Sequence, residues 1–254
     1  MTASIDLNAD LGESFGAYTI GNDKEVLQLI SSANIASGFH AGDPSVMYAT
    51  CTEAIAVGVR IGAHPGYRDL AGFGRRAMNY HPSELKAEII YQIGALQAIA
   101  HSAGGQLSYV KPHGALYNYI ARPEGKDQAA AVIEAILSID PKLKLMGLAG
   151  SSLLDFAKEE GLEVIAEAFA DRAYHSDGSL VARSQPGAVL HDPQQASAQA
   201  VAFALQQPLT TIEGDEIDIH ADSICVHGDN AAALALIQTI RTQLAENGVD
   251  VSAC

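Results

Sequence analysis

Short apolar runs recur along this chain, and most of them end in a tight cluster of His, Asp, Glu, Lys or Arg. Residues 4–8, 34–38, 60–63, 107–110, 144–148, 164–168 and 223–226 are such runs, and most are apolar almost throughout. Runs this short and this uniformly apolar predict strands buried on both faces, as in parallel sheets. Longer stretches of helical period separate them. Pro82 and Glu84 open one helix, Leu85, Ile89, Ile93 and Leu96 form its stripe, and Gly104-Gly105 closes it. A last helix is predicted to start at Asp229, whose carboxylate can cap free N–H groups; Leu234, Ile237, Ile240 and Leu244 give it one apolar face, and Gly248 ends it.

Seven strands joined by crossover helices predict an α/β fold, and a distorted seven-stranded (β/α) barrel suits them better than an open doubly wound sheet. No linker or internal repeat divides the chain, so residues 1–254 read as one domain. Either architecture gathers the ends of successive strands at one mouth, where such folds carry their chemistry. The polar clusters fall at those ends: Asp6–Glu13, residues 34–43, residues 62–69, residues 110–114, residues 167–172 and residues 225–230.

Two connections exceed ordinary turns. Residues 65–81 carry Arg68, Arg75 and Arg76 among several glycines, and residues 171–191 carry Arg172, Tyr174 and Arg183. Loops beyond about 12–15 residues in a compact domain are usually functional or disordered. Five of the chain's eight arginines sit in these two segments. They predict ordered lids that hold an anionic ligand with guanidinium forks.

Composition narrows the classes. Apolar residues make up 48% and charged residues 18%, enough for a full core. The formal charge of −15 argues against nucleic acid or anionic membrane as a partner. No apolar stretch reaches the roughly 18 residues of a membrane span, and the first residues show no secretory pattern, so a cytoplasmic location is expected. Cys51, Cys225 and Cys254 lie far apart without a Cys-x-x-Cys pair, which predicts buried or incidental thiols.

Singly, each cluster has a plain alternative. Asp10 and Glu13 are possible helix caps, and Asp43 before Pro44 is a better cap than catalyst. His64 could simply close a strand, and Lys111 and His113 flank the stiff Pro112. His81, His101, His175, His191 and His220 stand apart and read as surface or capping residues. Together the clusters are far more specific than any one of them.

In order along residues 5–245, the segments Asp6–Glu13, 34–43, 62–65, 110–118 (Val-Lys-Pro-His-Gly-Ala-Leu-Tyr-Asn), 167–172 and 226–230 resemble the LamB/YcsF family of 5-oxoprolinase A subunits. One departure is Ser37, where many members carry Cys; an obligatory nucleophilic thiol there is incompatible with activity in this chain. The resemblance implies a barrel related to glycoside-hydrolysing and sugar-deacetylating barrels. It implies ATP-dependent opening of 5-oxoproline to L-glutamate, with ATP (and Mg) as co-substrate and two further 5-oxoprolinase subunits as partners. A small carboxylate substrate agrees with the arginine-rich loops.

On that reading ATP phosphorylates the lactam oxygen and water attacks the product. The chain lacks a Gly-x-x-x-x-Gly-Lys-Ser/Thr loop, and Gly72-x-Gly74-Arg75-Arg76 is a poor substitute, which places nucleotide chemistry on a partner or a shared surface. The candidate catalytic residues are Asp10, Glu13, His40, His64, Lys111, His113 and Glu167. Asp10 or Glu167, with a pKa lifted toward neutrality, would serve as base. His40 and His64 would position water or carry protons, and Lys111 and His113 would stabilise developing negative charge. Asn8, Arg68, Arg172, Arg183, His227 and Asp229 are candidate substrate contacts.

Two alternatives stay open. Asp10, His40 and His64 are ligand types of catalytic zinc sites, which would make the chain a metal-dependent amide hydrolase or deacetylase. A non-catalytic subunit that binds the lactam and docks on catalytic partners is the other.

Overall fold

The computed structural model describes residues 3–227 and 231–254. Its ten strands are β1 (Ala3–Leu11), β2 (Ser32–Ala36), β3 (Arg60–His64), β4 (Leu107–Val110), β5 (Lys144–Leu148), β6 (Val164–Phe169), β7 (Leu209–Thr210), β8 (Glu216–Ile217), β9 (Ser223–Cys225) and β10 (Val249–Val251). The helices are α1 (Asp23–Leu27), α2 (Pro44–Ala56), α3 (Pro82–Ser102), α4 (Gly114–Ile120), α5 (Lys126–Ile139), α6 (Ser152–Glu159), α7 (Pro193–Ala204) and α8 (Ala231–Glu246).

Strands β1 to β6 pair in parallel in sequence order, and β9 pairs in parallel with both β6 and β1. The Asp6↔Ser223 and Glu167↔Ser223 registers close the ring. The fold is therefore the predicted seven-stranded (β/α) barrel, and all seven strands end at one mouth. Two features lie outside the sequence expectation. Strand β10 adds to the outer side of β1 at Ala3↔Val249, and β7 pairs antiparallel with β8. These strands are only two or three residues long, too short to stand out as periodic runs. The second strand also begins two residues earlier than expected, at Ser32.

Period-two alternation decides which face each side chain meets. On β1, Ile5, Leu7, Ala9 and Leu11 join the main apolar core between barrel and helices. Asp6, Asn8 and Asp10 point inward, where Asp6 accepts from Ser31, Ser32 and Ser223, and Asn8 donates to Ser223. Apart from the main core, Tyr109, Met146 and Ile165 form a smaller apolar cluster. It depends on Gly62, because a Cβ there would fall inside the Tyr109 ring. The Tyr109 hydroxyl donates to Asn34 Oδ1 at 2.7 Å, which satisfies its buried polar end.

The helix signals act as the chain predicts. Asp43 caps α2 by accepting from Ser45 N and Val46 N at 2.8 and 3.0 Å, and Pro44 takes the first helical position. Leu85, Ile89, Ile93 and Leu96 of α3 are fully buried. Ile237, Ile240 and Leu244 bury the face of α8, while the expected cap Asp229 lies outside the described residues. Among the described residues no helix is long and apolar enough to cross a membrane.

Candidate active site

The floor of the mouth is built around Lys111, which follows β4. Its Nζ is 2.6 Å from Glu167 Oε1 on β6 and 3.0 Å from Asp10 Oδ1 on β1. It also donates to Asn8 Oδ1 at 3.1 Å and approaches Cys225 Sγ at 3.4 Å. Burial alone would strip the charge from this ammonium, but Asp10, Cys225 and Glu167 hold its pKa well above the usual lysine value. Burial likewise pushes Asp10 up, yet His64 and Lys111 outweigh it and hold the carboxyl well below the usual carboxylate range. Asp10 is thus an ionised partner of Lys111. Its pKa is not lifted toward neutrality, which corrects the expectation of Asp10 as a tuned base.

Beside Lys111 stand three imidazoles. His64 ends β3, His40 lies in the loop after β2, and His113 precedes α4; all three are buried. The His64 Nδ1 sits 2.7 Å from the Lys111 carbonyl, and the His113 Nε2 sits 2.9 Å from the Phe73 carbonyl. A carbonyl can only accept, so both of these nitrogens carry the proton. The remaining His64 Nε2 and His113 Nδ1 face each other at 2.9 Å. His40 stacks on His113 with centroids 3.7 Å apart, and its Nε2 is 3.4 Å from Glu13 Oε1. Burial, reinforced by His64, pushes the His113 pKa down to about 3, and burial with His113 lowers His40 as well. Both rings are neutral at ordinary pH.

The segment after β3 explains why the stack is dry. Gln92 clamps it by accepting from Gly66 N and donating to Gly66 O, at 2.9 and 3.0 Å. Gly74 then passes so close that a Cβ would lie 2.8 Å from both His113 Cδ2 and His40 Cβ, and its φ is +63°. Phe73 sets its ring edge-on to His40 and His113, with Arg75 over its other side. The first arginine-rich connection is therefore an ordered cover on the imidazoles.

Asp10, Glu13, His64, Lys111, His113, Arg172, Arg183 and His227 line a pocket of about 650 Å³. Of the predicted catalytic set, His40 and Glu167 are fully buried and stand behind the lining, against His113 and Lys111. Two expected substrate contacts fall elsewhere, and a third is engaged within its own loop. Asn8 is wholly buried beneath Lys111, where it orients the ammonium and Asn34. Arg68 is exposed and stacks over Phe39, outside the pocket. Arg172 reaches the lining, but its guanidinium donates to Ala188 O and Val181 O, so it ties its own loop together. Arg183 donates to His227 Nε2 at 3.1 Å, and His227 Nδ1 is 2.8 Å from Asp171. Asp229 is outside the described residues.

Sequence reasoning assigns no site role to Arg122 or Tyr117, reads Cys225 only as a buried or incidental thiol, and places Arg75 only among the loop arginines expected to meet an anion. Arg75, Arg122 and Tyr117 line the pocket, and Cys225 lies against Lys111. Inward parity is the signal that finds the thiol, since Ser223, Cys225 and His227 are spaced by two on and after β9. Arg76, by contrast, is spent on the buried Asp69.

The metal expectation also shifts. The converging donors are Glu13, His40, His64 and His113, one ligand atom from each lying within 4.8 Å of the others. Asp10 stands beside them, with Oδ2 3.3 Å from His64 Nε2 and Oδ1 held by Lys111 and Asn34.

Comparison with known proteins fits this mouth into a group. The A subunit of 5-oxoprolinase from Corynebacterium efficiens is 60% identical over 248 residues, covering 98% of this chain and 96% of the relative. Its counterpart from Heliobacterium modesticaldum is 53% identical, covering 98% and 97%. The crystal structure of a lactam utilization protein from Thermus thermophilus matches with a TM-score of 0.94 at 42% identity, covering 99% of this chain and 100% of that one. The model of the LamB/YcsF family spans residues 5–254, strand ends and all, and the chain belongs to that family.

Proposed function

We propose that this chain opens 5-oxo-L-proline to L-glutamate within a multi-subunit, ATP-consuming 5-oxoprolinase. Its relatives carry the name of that enzyme's A subunit, and the Thermus protein is named for lactam utilization. The observation that carries the reading is the charge layout of the pocket. A buried ammonium, Lys111, stands on the floor beside neutral imidazoles, and Arg75, Arg122 and Arg183 stand on the lining. That layout suits a small lactam with one carboxylate and an oxygen that gains negative charge.

A lactam has a poor electrophilic carbon and a poor leaving group. Transfer of the ATP γ-phosphoryl group to its oxygen, with ADP leaving, gives a phosphorylated imidate. Water then adds at the ring carbon and the C–N bond breaks. The ring nitrogen takes up a proton as the new amino group, and a second water releases phosphate from the acyl phosphate. In this scheme ATP, with Mg, binds at a shared or partner surface and two further subunits complete the enzyme.

Within the pocket, Arg183 takes the substrate carboxylate. Lys111 stabilises the phosphoryl or oxyanion charge, a role worth about 3–4 kcal/mol for a preorganised donor. His64 and His113 position the attacking water at the pocket wall, with Glu13 beside them. Asp10 and Glu167 keep Lys111 charged and placed. A reconstituted complex carrying Lys111→Met tests this. Retained 5-oxoproline affinity with turnover lowered by about 100-fold or more supports a catalytic ammonium. A parallel loss of affinity and turnover assigns the chain a binding role instead.

A further inference from the structure

We infer that Glu13, His40, His64 and His113 bind one divalent transition-metal ion of the zinc class. The inference goes beyond the lactam reading and does not depend on it. Four buried donor atoms lie within 4.8 Å of one another, drawn from four separate strand ends. The decisive feature is the way the rings are aimed. His64 Nε2 and His113 Nδ1 face each other at 2.9 Å, while the outer nitrogen of each ring is committed as a donor to a backbone carbonyl. The inner nitrogens of both rings therefore aim at one point, with Glu13 and His40 beside it. Backbone carbonyls on the outer nitrogens are also the arrangement that orients metal-ligating imidazoles.

His40 adds a second observation. Both of its ring nitrogens are buried without a hydrogen-bond partner among the described residues, and Nε2 points at Glu13 Oε1 from 3.4 Å. Three imidazole nitrogens and one carboxylate oxygen match zinc, whereas magnesium and calcium call for oxygen-rich sets. When bound, such an ion supplies Lewis-acid polarisation of an amide carbonyl.

The test uses the full chain alone, without substrate, ATP or partners, so its failure leaves the lactam reading standing. Chelator-treated protein is titrated with Zn2+ by calorimetry, and with Co2+ while the ligand-field absorption is recorded. One equivalent of either ion and the spectrum of a nitrogen-rich, four-coordinate Co2+ site are expected. His64→Asn and His113→Asn should each weaken binding by more than the roughly 10- to 100-fold that loss of an outer partner costs. Thermal melts of the ion-free variants against ion-free wild type establish that they fold, and the wild-type Co2+ spectrum decides alone if they do not. Substoichiometric binding, an octahedral Co2+ spectrum, or unchanged affinity in folded variants would overturn the inference. So would imidazole nitrogen NMR showing a proton shared by His64 and His113 that Zn2+ does not displace.

Discussion

Lys111 and Glu167 meet across the barrel at 2.6 Å, joining the end of β4 to β6 with both side chains almost entirely removed from water. Neither charge is tolerable there alone. Lys111→Met should cost about 3–5 kcal/mol, because it leaves Glu167 buried and uncompensated. The double variant Lys111→Met/Glu167→Leu should recover a good part of that loss while staying inactive. Denaturant melts of these two variants and of Glu167→Leu check this; additive destabilisation would show that the pair is not coupled.

The cover on the imidazoles makes a separate prediction. Gly74 has φ +63° and no room for a Cβ over His40 and His113. Gly74→Ala should cost about 1–3 kcal/mol through strain and displacement of the loop, and should lower turnover by more than its lowered melting temperature explains. Gly187→Ala, also at positive φ but with its nearest neighbour at an ordinary 3.6 Å, is the control for backbone strain without a blocked pocket.

Arginines in the two long connections should divide by position. Arg183→Ala should raise KM for 5-oxoproline by roughly 10- to 150-fold, the equivalent of about 1.5–3 kcal/mol for a charged hydrogen bond. Arg68→Ala should leave KM within about twofold, since a surface side chain stacked on Phe39 touches no pocket atom. Steady-state kinetics of the complex with each variant decides the matter, and equal effects would contradict the placement.

Acid should unfold the ion-free chain early. The His113 pKa falls to about 3 in the fold from an ordinary 6.5, so below 6.5 the unfolded chain takes up a proton that the folded chain refuses. Stability is then full above about pH 6.5 and declines as pH falls toward 3, by about 1.4 kcal/mol per pH unit for this one group. His40, lowered for the same reason, steepens the decline. His113→Asn should flatten the curve in denaturant melts across this range. An unchanged slope would mean the ring is already protonated in the fold.

Much of this site is legible in the sequence because the barrel repeats one rule. A short apolar run sets the strand, and the cluster after it lands at the mouth, so position alone names Asp10, His64, Lys111 and His113. Inward parity along β1 separates Asp6, Asn8 and Asp10 from their apolar neighbours but does not give depth, and Asn8 lies under Lys111. Which imidazoles converge is not legible, because donors from separate strands carry no mutual spacing; His113 joins the set and Asp10 stands beside it. The fates of Arg68, Arg76 and Arg172 are equally hidden, since each is decided by a partner that only the folded loops bring near.

The most direct measurement is glutamate release from 5-oxoproline, with and without ATP, by the chain alone and with the two candidate partner subunits. The account predicts release only in the complete mixture and only with ATP, lost again when this chain carries Lys111→Met. No release in any mixture, with partners shown to be competent, would contradict it.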